Sequence, residues 1–200
     1  MKNNFLEAIK NRRSYYGFDK NIKLTNQELK ELVDYAIKHV PSAFNSQSTR
    51  IVLLVGEHHE KLWTLTKQEL AKKVSAESLK GTEAKIDISF ASGYGTILFF
   101  EDQTVVDALI KEYPSYADSF PIYSHHTSAM HQFALWTMLR EQGIGASLQH
   151  YNPLIDEAVA KEWQIDSNWK LVAQMPFGNP ICDTADKSFE PLDKRSILFE

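Results

Sequence analysis

Apolar and polar positions recur along the chain in patterns that predict several helices. From Leu29 to Val40 the apolar residues return every three or four positions, which is typical of an amphipathic helix. Thr25-Asn26-Gln27-Glu28 has the sequence of a capping box with Thr25 as the N-cap, and Pro41 predicts the end of this helix. A shorter helix is predicted ahead of it over residues 3–12, with an apolar face formed by Phe5, Ala8 and Ile9.

Apolar runs predict short buried strands over residues 51–55, 96–100, 146–149 and 170–175. Further helices are predicted over residues 60–74, 76–92, 103–112 and 124–142. Asn152 and Pro153 are expected to cap and begin another helix, and Gly178-Asn179-Pro180 is expected to end the last strand. Because strands and helices do not alternate regularly, the predicted fold class is α+β rather than a doubly wound parallel sheet.

The composition limits the kind of protein this is. With 200 residues, 43% of them hydrophobic, a single domain over residues 1–200 is expected. A formal net charge of −4 argues against a nucleic-acid binder, which needs a basic surface. One cysteine, Cys182, fits a reducing compartment and is expected to be a partly buried, unreactive thiol. Without a recognisable signal peptide or spanning segment, the protein is expected to be cytoplasmic, with no membrane partner.

Two polar clusters frame the first long helix and carry the candidate chemistry. Arg12-Arg13-Ser14 combines two guanidinium groups with a hydroxyl, a set that can bind the oxygens of a phosphate. The segment from Pro41 to Ser48 is rich in short hydroxyl and amide side chains, which can donate to and accept from the edge of a polar ring. Each cluster alone also fits ordinary helix-end or turn chemistry. Together they suggest a heterocycle that bears a phosphate.

Histidines and paired acids give no comparable signal. His126 and His131 are five positions apart, a poor spacing for one helix face, and no cysteine or carboxylate completes a metal site, so no metal is expected. His58 and His59 are expected to be exposed at the start of a helix. Carboxylates such as Asp102 fit a helix start, where the helix dipole favours them.

The order of the motifs resembles that of the FMN-dependent nitroreductase family. The resemblance is carried by Arg12-Arg13-Ser14, the cluster at 41–47, Gly143-Ile144-Gly145-Ala146, Gly178-Asn179-Pro180 and Lys194-Arg195. The stretches 90–102 and 147–152 resemble the subgroup that contains the fungal fatty-acid-repression-mutant protein and its small bacterial relatives. This resemblance implies a nitroreductase-like α+β fold with a central, mostly antiparallel sheet flanked by helices. It also implies an intertwined homodimer with FMN at the subunit interface, and the 124–142 helix is expected to be buried there.

Site residues follow from the same resemblance. Residues expected to hold the FMN phosphate and ribityl chain are Arg12, Arg13, Ser14, Lys194 and Arg195. The partner subunit is expected to contribute Ser42, Asn45 and Gln47, and the loop beside the flavin ring is expected to contain Gln149, His150 and Tyr151. In that loop Leu148-Gln149-His150-Tyr151 replaces the Pro-x-Glu-Gly of larger relatives, so their acidic side chain is absent.

The chemistry implied is reduction of nitroaromatics, quinones or similar small electrophiles, with NADH or NADPH as the hydride donor and ping-pong kinetics. The flavin carries this chemistry and no catalytic side chain is required. His150 is a candidate proton donor, and an ordinary hydrogen-bonded histidine is the alternative. Two other functions stay open: a flavin-binding regulatory or stress-response protein with little turnover, and a small-molecule-binding dimer without flavin.

Overall fold

The computed structural model describes residues 4–200. In chain order its helices and strands are α1 (Asn4–Asn11), β1 (Phe18–Asp19), α2 (Asn26–His39), β2 (Thr49–Val55), α3 (Glu57–Ala71), α4 (Ala76–Ile86), β3 (Gly95–Asp102), α5 (Gln103–Glu112), α6 (Phe120–Glu141), β4 (Gly145–Ala146), α7 (Asp156–Trp163) and β5 (Trp169–Pro180). A π-helical turn at Asp87–Ala91 extends α4, and 3-10 turns lie at Ala43–Asn45 and Pro114–Tyr116. None of the described helices is both long enough and apolar enough to cross a membrane.

The strands form one sheet in the order β1-β5-β3-β2, with β4 also paired to β5. Each of these pairings is antiparallel. This arrangement agrees with the antiparallel α+β fold expected from the sequence.

Helices cover both faces of the sheet, which is why β3 is buried along its whole length. Successive side chains of a strand point to opposite faces. Ile97 and Phe99 therefore join a core with α2 and α6, whereas Leu98 and Phe100 join a second core with α3, α4 and α7. Strands that are buried on both faces read as continuous apolar runs, and this explains the run that predicted β3.

A bulge in β5 changes which core its side chains enter. Phe99 of β3 pairs with Ala173, but Phe100 pairs with Leu171, so Val172 has no partner on β3. One extra residue reverses the alternation of a strand. As a result Leu171 packs in the second core, while Ala173 packs in the first.

Local signals for α2 are confirmed in detail. The Thr25 hydroxyl accepts the Glu28 N–H at 3.2 Å, and the Glu28 carboxylate accepts the Thr25 N–H at 2.8 Å. The helix ends at His39, ahead of Pro41. Helix α5 also has the bounds predicted for it.

Other predictions of element ends are wrong. The last strand is not broken at Gly178, because Gly178 pairs with β4 and Asn179 and Pro180 pair with the unpredicted strand β1. Strand β5 therefore continues to Pro180. Asn152-Pro153 does not begin α7. A turn follows Asn152, in which the Asp156 N–H donates to the Pro153 carbonyl at 3.3 Å, and the helix starts at Asp156.

Candidate functional site

Arg12, Arg13 and Ser14 line a cavity of about 480 Å³ beyond the end of α1. The rest of the lining comes from Tyr15, Tyr16, Lys187 and residues 182–185. A cavity of this size falls within the range of small-molecule sites, roughly 300–1,000 Å³. Its lining has two arginines and a lysine against one carboxylate, Asp183, and this excess of positive charge suits an anionic ligand.

The Arg12 guanidinium lies over the indole of Trp136 on α6, with its central carbon 4.4 Å from the ring centroid. Burial, and then the neighbouring positive charge of Arg13, lower the pKa of Arg12. Both effects disfavour the cation. An anion in the cavity would relieve the repulsion between the two guanidinium groups.

The segment after α1 is held against the centre of the fold. Ser14 bridges to Ala146 of β4, and the Tyr15 N–H donates to the Ala146 carbonyl at 3.1 Å. The Arg140 guanidinium of α6 lies 5.4 Å from the Tyr15 ring. Arg13 donates to the carbonyl of Ala185 at 2.5 Å, which connects this segment to the chain after β5.

Ser42, Asn45 and Gln47 lie on a tight bend between α2 and β2. The Ser42 hydroxyl accepts the Gln47 N–H at 3.0 Å, and the Ser42 carbonyl accepts the Asn45 N–H at 3.0 Å. These bonds close the bend on itself, while the side chains of Asn45 and Gln47 face solvent. The Gln47 amide nitrogen makes a long hydrogen bond of 3.5 Å to the Asn45 carbonyl. Both amides are nevertheless accessible to another molecule.

The backbone of this bend is strained. Phe44, Asn45 and Gln47 have φ angles of 56°, 50° and 49°, in the left-handed region. For a bulky residue such as Phe44 this conformation is an outlier that surrounding contacts must maintain. The Phe44 ring packs 5.1 Å from Tyr113 and 5.2 Å from Phe120, measured between ring centroids. Strain of this kind is concentrated at functional sites.

Next to the bend, the buried carboxylate of Glu101 accepts hydrogen bonds from two hydroxyl groups. Glu101 accepts hydrogen bonds from Ser48 at 2.5 Å and Thr49 at 2.6 Å. Burial raises the pKa of Glu101, although both hydroxyls oppose this shift. Beside it, Arg50 forms an ion pair with Asp102 at 2.9 Å, and Asp102 also accepts the Thr104 N–H at the start of α5. These contacts hold Arg50 within the fold. The expectation that Asp102 stabilises a helix start is confirmed.

Gln149, His150 and Tyr151 form a loop that leaves the sheet beside β5. The Gln149 N–H donates to the backbone carbonyl of Gln174 at 2.7 Å, and the Tyr151 N–H donates to the Gln174 side chain at 2.7 Å. The Tyr151 ring packs on Trp63 with 5.8 Å between centroids. His150 is exposed.

Lys194 and Arg195 lie in the exposed chain after β5, where the Arg195 N–H donates to the Leu192 carbonyl at 2.9 Å. Within one chain the structure brings Arg12, Arg13 and Ser14 together. The cavity that they line includes neither the bend at 42–47, nor the loop at 149–151, nor Lys194 and Arg195. The complete set predicted from the sequence is therefore not assembled by the described residues of one chain.

Two expectations about single residues are wrong. Cys182 is exposed rather than partly buried. His59 is buried, because the turn from Gly56 directs it towards β3, where its Nδ1 accepts from the Thr96 hydroxyl at 2.9 Å and its Nε2 donates to the Ala91 carbonyl at 3.2 Å. Among residues 4–200, no three His, Cys, Asp or Glu side chains are grouped as metal ligands would be.

Two residues outside the predicted set, Trp136 and Gln174, also contact the predicted site residues. Trp136 is one of many apolar residues in the 124–142 segment, and nothing local connects it to Arg12. Gln174 did carry a signal: it is a lone amide within an apolar strand, and buried polar groups need partners.

Comparisons with known proteins agree with the fold. Residues 9–179 match the model of the Nitroreductase family. Nitroreductase FRM2 of Saccharomyces cerevisiae is 32% identical over 188 residues, which cover 93% of each chain. Nitroreductase CinD of Lactococcus lactis, solved in complex with 4-nitrophenol, is 40% identical with a TM-score of 0.88, over 98% of this chain and 100% of that one. A protein of Exiguobacterium sibiricum, solved in complex with FMN, shares the fold at 15% identity, with a TM-score of 0.72 over 97% of this chain and 96% of that one.

Proposed function

This chain belongs to the nitroreductase family, and from that membership we propose that it passes electrons from NADH or NADPH to nitroaromatics, quinones or similar small electrophiles. Membership confirms the family resemblance and makes the protein an FMN-dependent oxidoreductase. The observation that carries the proposal is the cavity at the end of α1, where Arg12 and Arg13 meet with no carboxylate paired to either among residues 4–200.

The residues of this cavity fit the phosphate end of FMN. A guanidinium donates to phosphate oxygens in a bidentate manner and stays charged at any ordinary pH. Ser14 adds a hydroxyl, and the exposed tail supplies further cations at Lys187, Lys194 and Arg195. We assign Arg12, Arg13 and Ser14 to the phosphate, and Lys194 and Arg195 to its outer side.

The flavin supplies the reversible uptake of a hydride, and the protein supplies binding, orientation and polar contacts. In our proposal Ser42, Asn45 and Gln47 contact the polar edge of the ring, because their strained bend presents amides to solvent. The loop at 149–151 lies along the ring and is held from beneath by Gln174. NADH or NADPH and the electron acceptor then bind in turn at the same place beside the ring, which gives ping-pong kinetics. His150 is exposed, so it is free to deliver a proton to an acceptor.

A homodimer would explain why the cavity of one chain lacks the bend at 42–47. Helix α6 has an unusual distribution of residues: many of its buried side chains are polar, including Thr127, Ser128 and Gln132, whereas Ile122, Met130 and Phe133 are exposed. Phe5 and Leu6 of α1, which packs on α6, are also exposed, so Phe5 does not form the buried face predicted for it. Exposed apolar side chains grouped in this way mark an interaction surface. We propose that a second copy covers it and contributes its bend at 42–47 to the cavity.

The nature of the acceptor is supported by the solved relative at 40% identity. Nitroreductase CinD was crystallised with 4-nitrophenol and with chloramphenicol, both of which carry a nitro group on an aromatic ring. We therefore propose nitroaromatic compounds as the first acceptors to test.

The test is a visible absorption spectrum of the freshly purified protein, followed by addition of NADH and then NADPH under nitrogen. We expect a flavin spectrum that one donor bleaches and that 4-nitrophenol or chloramphenicol restores. A flavin that stays oxidised with both donors would favour a binding or regulatory role with little turnover. A protein that stays colourless after incubation with FMN would overturn the assignment of the cavity. Light scattering on the same sample measures the dimer independently.

A further inference from the structure

We propose that Trp136 is a positioning residue that holds the Arg12 guanidinium in the orientation needed to bind the FMN phosphate. This inference rests on the proposed function, because it takes the cavity at the end of α1 as the phosphate site. It assigns a role in cofactor selection to an indole on α6 that does not line the cavity itself.

The geometry leaves the donors of Arg12 available. All N–H donors of a guanidinium lie in its plane. When the group stacks on an aromatic face, the ring holds it without occupying those donors. The Arg12 guanidinium carbon lies over the Trp136 ring, 4.4 Å from its centroid, so the contact is with the ring face. The Arg12 guanidinium can therefore be fixed in position while its N–H donors stay free to bind an anion.

Arg50 provides a comparison within the same chain. It donates to the Gln47 carbonyl at 2.7 Å and to the Asp102 carboxylate at 2.9 Å, and it lies 5.8 Å from the Trp169 ring. The donors of that guanidinium are thus used in the fold. Arg12 has the closer aromatic contact, and no carboxylate is paired with it among residues 4–200. Such an arrangement is expected of a guanidinium kept for a ligand.

The position of the Trp136 indole is unfavourable for its own N–H group. Trp136 Nε1 is buried and has no hydrogen-bond partner among the described residues. A buried donor without a partner is unfavourable, and phenylalanine at this position would avoid the penalty. Tryptophan, however, has the most favourable ring face for a cation. This choice of residue is explained if the ring face matters more than the lost hydrogen bond.

The rest of the segment is fixed independently of Trp136. Ser14 bridges to Ala146, and Tyr15 packs under Arg140, one helical turn beyond Trp136 on α6. Loss of the indole should therefore leave the backbone of the segment in place and free only the Arg12 side chain. This separation makes a specific test possible.

The experiment compares the affinities of the flavin-free protein for FMN and for riboflavin, which lacks the phosphate, by titration of flavin fluorescence. The variants are Trp136→Phe, Trp136→Leu and Arg12→Ala, and Trp163→Leu is a matched control that removes a partly buried indole on α7. We expect Trp136→Leu to weaken FMN binding about tenfold, or about 1.4 kcal/mol, and to leave riboflavin binding within about twofold. Trp136→Phe keeps an aromatic face and should retain most of the affinity. In Trp163→Leu the preference for FMN over riboflavin should be unchanged.

Several outcomes would overturn the inference, and they differ from failure of the proposed function. If Arg12→Ala keeps the full preference for FMN, the phosphate assignment itself is wrong. If Arg12→Ala loses the preference but Trp136→Leu keeps it, the phosphate site stands and Trp136 does not position Arg12. Equal weakening of FMN and riboflavin by Trp136→Leu would show a merely structural role. In the double variant Arg12→Ala/Trp136→Leu, the loss of FMN affinity should match that of Arg12→Ala alone.

Discussion

The side-chain carbonyl of Gln174, in the middle of the longest strand, accepts the backbone N–H of Tyr151 at 2.7 Å. Its amide nitrogen donates to the Asn152 side chain at 3.3 Å, and its own backbone exchanges two hydrogen bonds with Gln149. Gln174 is fully buried. One buried amide therefore fixes the loop that we place beside the flavin to β5.

Gln174→Leu should destabilise the fold and loosen this loop. It removes the partner of the Tyr151 N–H, and an unpaired buried donor costs roughly 1–3 kcal/mol. Thermal unfolding should show the loss, and a flavin bound beside a loosened loop should reduce acceptors more slowly. Gln132→Leu is the control, because that buried amide donates to Ser128 on its own helix rather than to the loop. If both variants reduce acceptors at the wild-type rate, Gln174 has no role in the site.

Gln47→Gly should change stability and cofactor binding in opposite directions. Gln47 has φ of 49°, and glycine adopts this region without the penalty of about 1 kcal/mol that other residues carry. The variant should therefore unfold at a higher temperature while binding FMN more weakly, because the proposed amide contact is lost. Ser46→Gly is the matched control: Ser46 has ordinary helical angles, so glycine there should only destabilise. Unchanged FMN affinity in Gln47→Gly would remove this residue from the site.

Local chemistry explains what could be predicted of the fold. The capping box at Thr25 acts within four residues, and the apolar run of β3 reflects burial on both faces, so neither depends on distant contacts. Strand β1 has only two residues and exists because Pro180 and Asn179 of β5 lie opposite them. No pattern in so short a segment could indicate it. The same pairing explains why β5 continues through Asn179 to Pro180.

The residue types of the site could be predicted from the sequence, but their contacts with distant residues could not. Arg12, Arg13 and Ser14 are adjacent in sequence, and the structure places them in one cavity. Their contact with Trp136 depends on how α1 packs against α6, which residue type alone does not reveal. The burial of His59 could not be predicted for a similar reason. His58 and His59 are adjacent at a helix start, and only the contact with Thr96 distinguishes the buried residue.

Phe133→Glu should separate the proposed dimer and lower its flavin content. Phe133 is an exposed aromatic residue on α6, and a buried carboxylate without a partner is strongly unfavourable in an interface. Light scattering should report a monomer, and the visible spectrum should show less FMN per chain. Ile88→Glu is the control, since Ile88 is also exposed but lies on the π-helical turn after α4. A Phe133→Glu protein that remains dimeric with full flavin would place the interface elsewhere.

The fold should lose stability as the pH falls from about 6.5 to about 4, and His59 should be a main cause. Burial lowers the pKa of His59 to about 4, whereas an unfolded histidine has a pKa near 6.5. Between these values the unfolded chain takes up a proton that the folded chain excludes, so acid favours unfolding. A difference of this size corresponds to about 3 kcal/mol at full effect. The hydrogen bonds agree with a neutral ring: its one proton is on Nε2, which donates to Ala91, and protonation of Nδ1 would break the bond that Nδ1 accepts from Thr96.

His59→Gln should therefore flatten the pH dependence of the unfolding free energy over this interval, measured by urea unfolding at several pH values. Glutamine can keep a donor towards the Ala91 carbonyl but cannot take up a proton. Some slope should remain, because burial also lowers the pKa of His131. Glu101 acts in the opposite direction: its raised pKa makes the fold more stable in acid, and that contribution is lost as the pH rises through its folded value. An equal slope in wild type and His59→Gln would mean that His59 does not control the acid sensitivity of the fold.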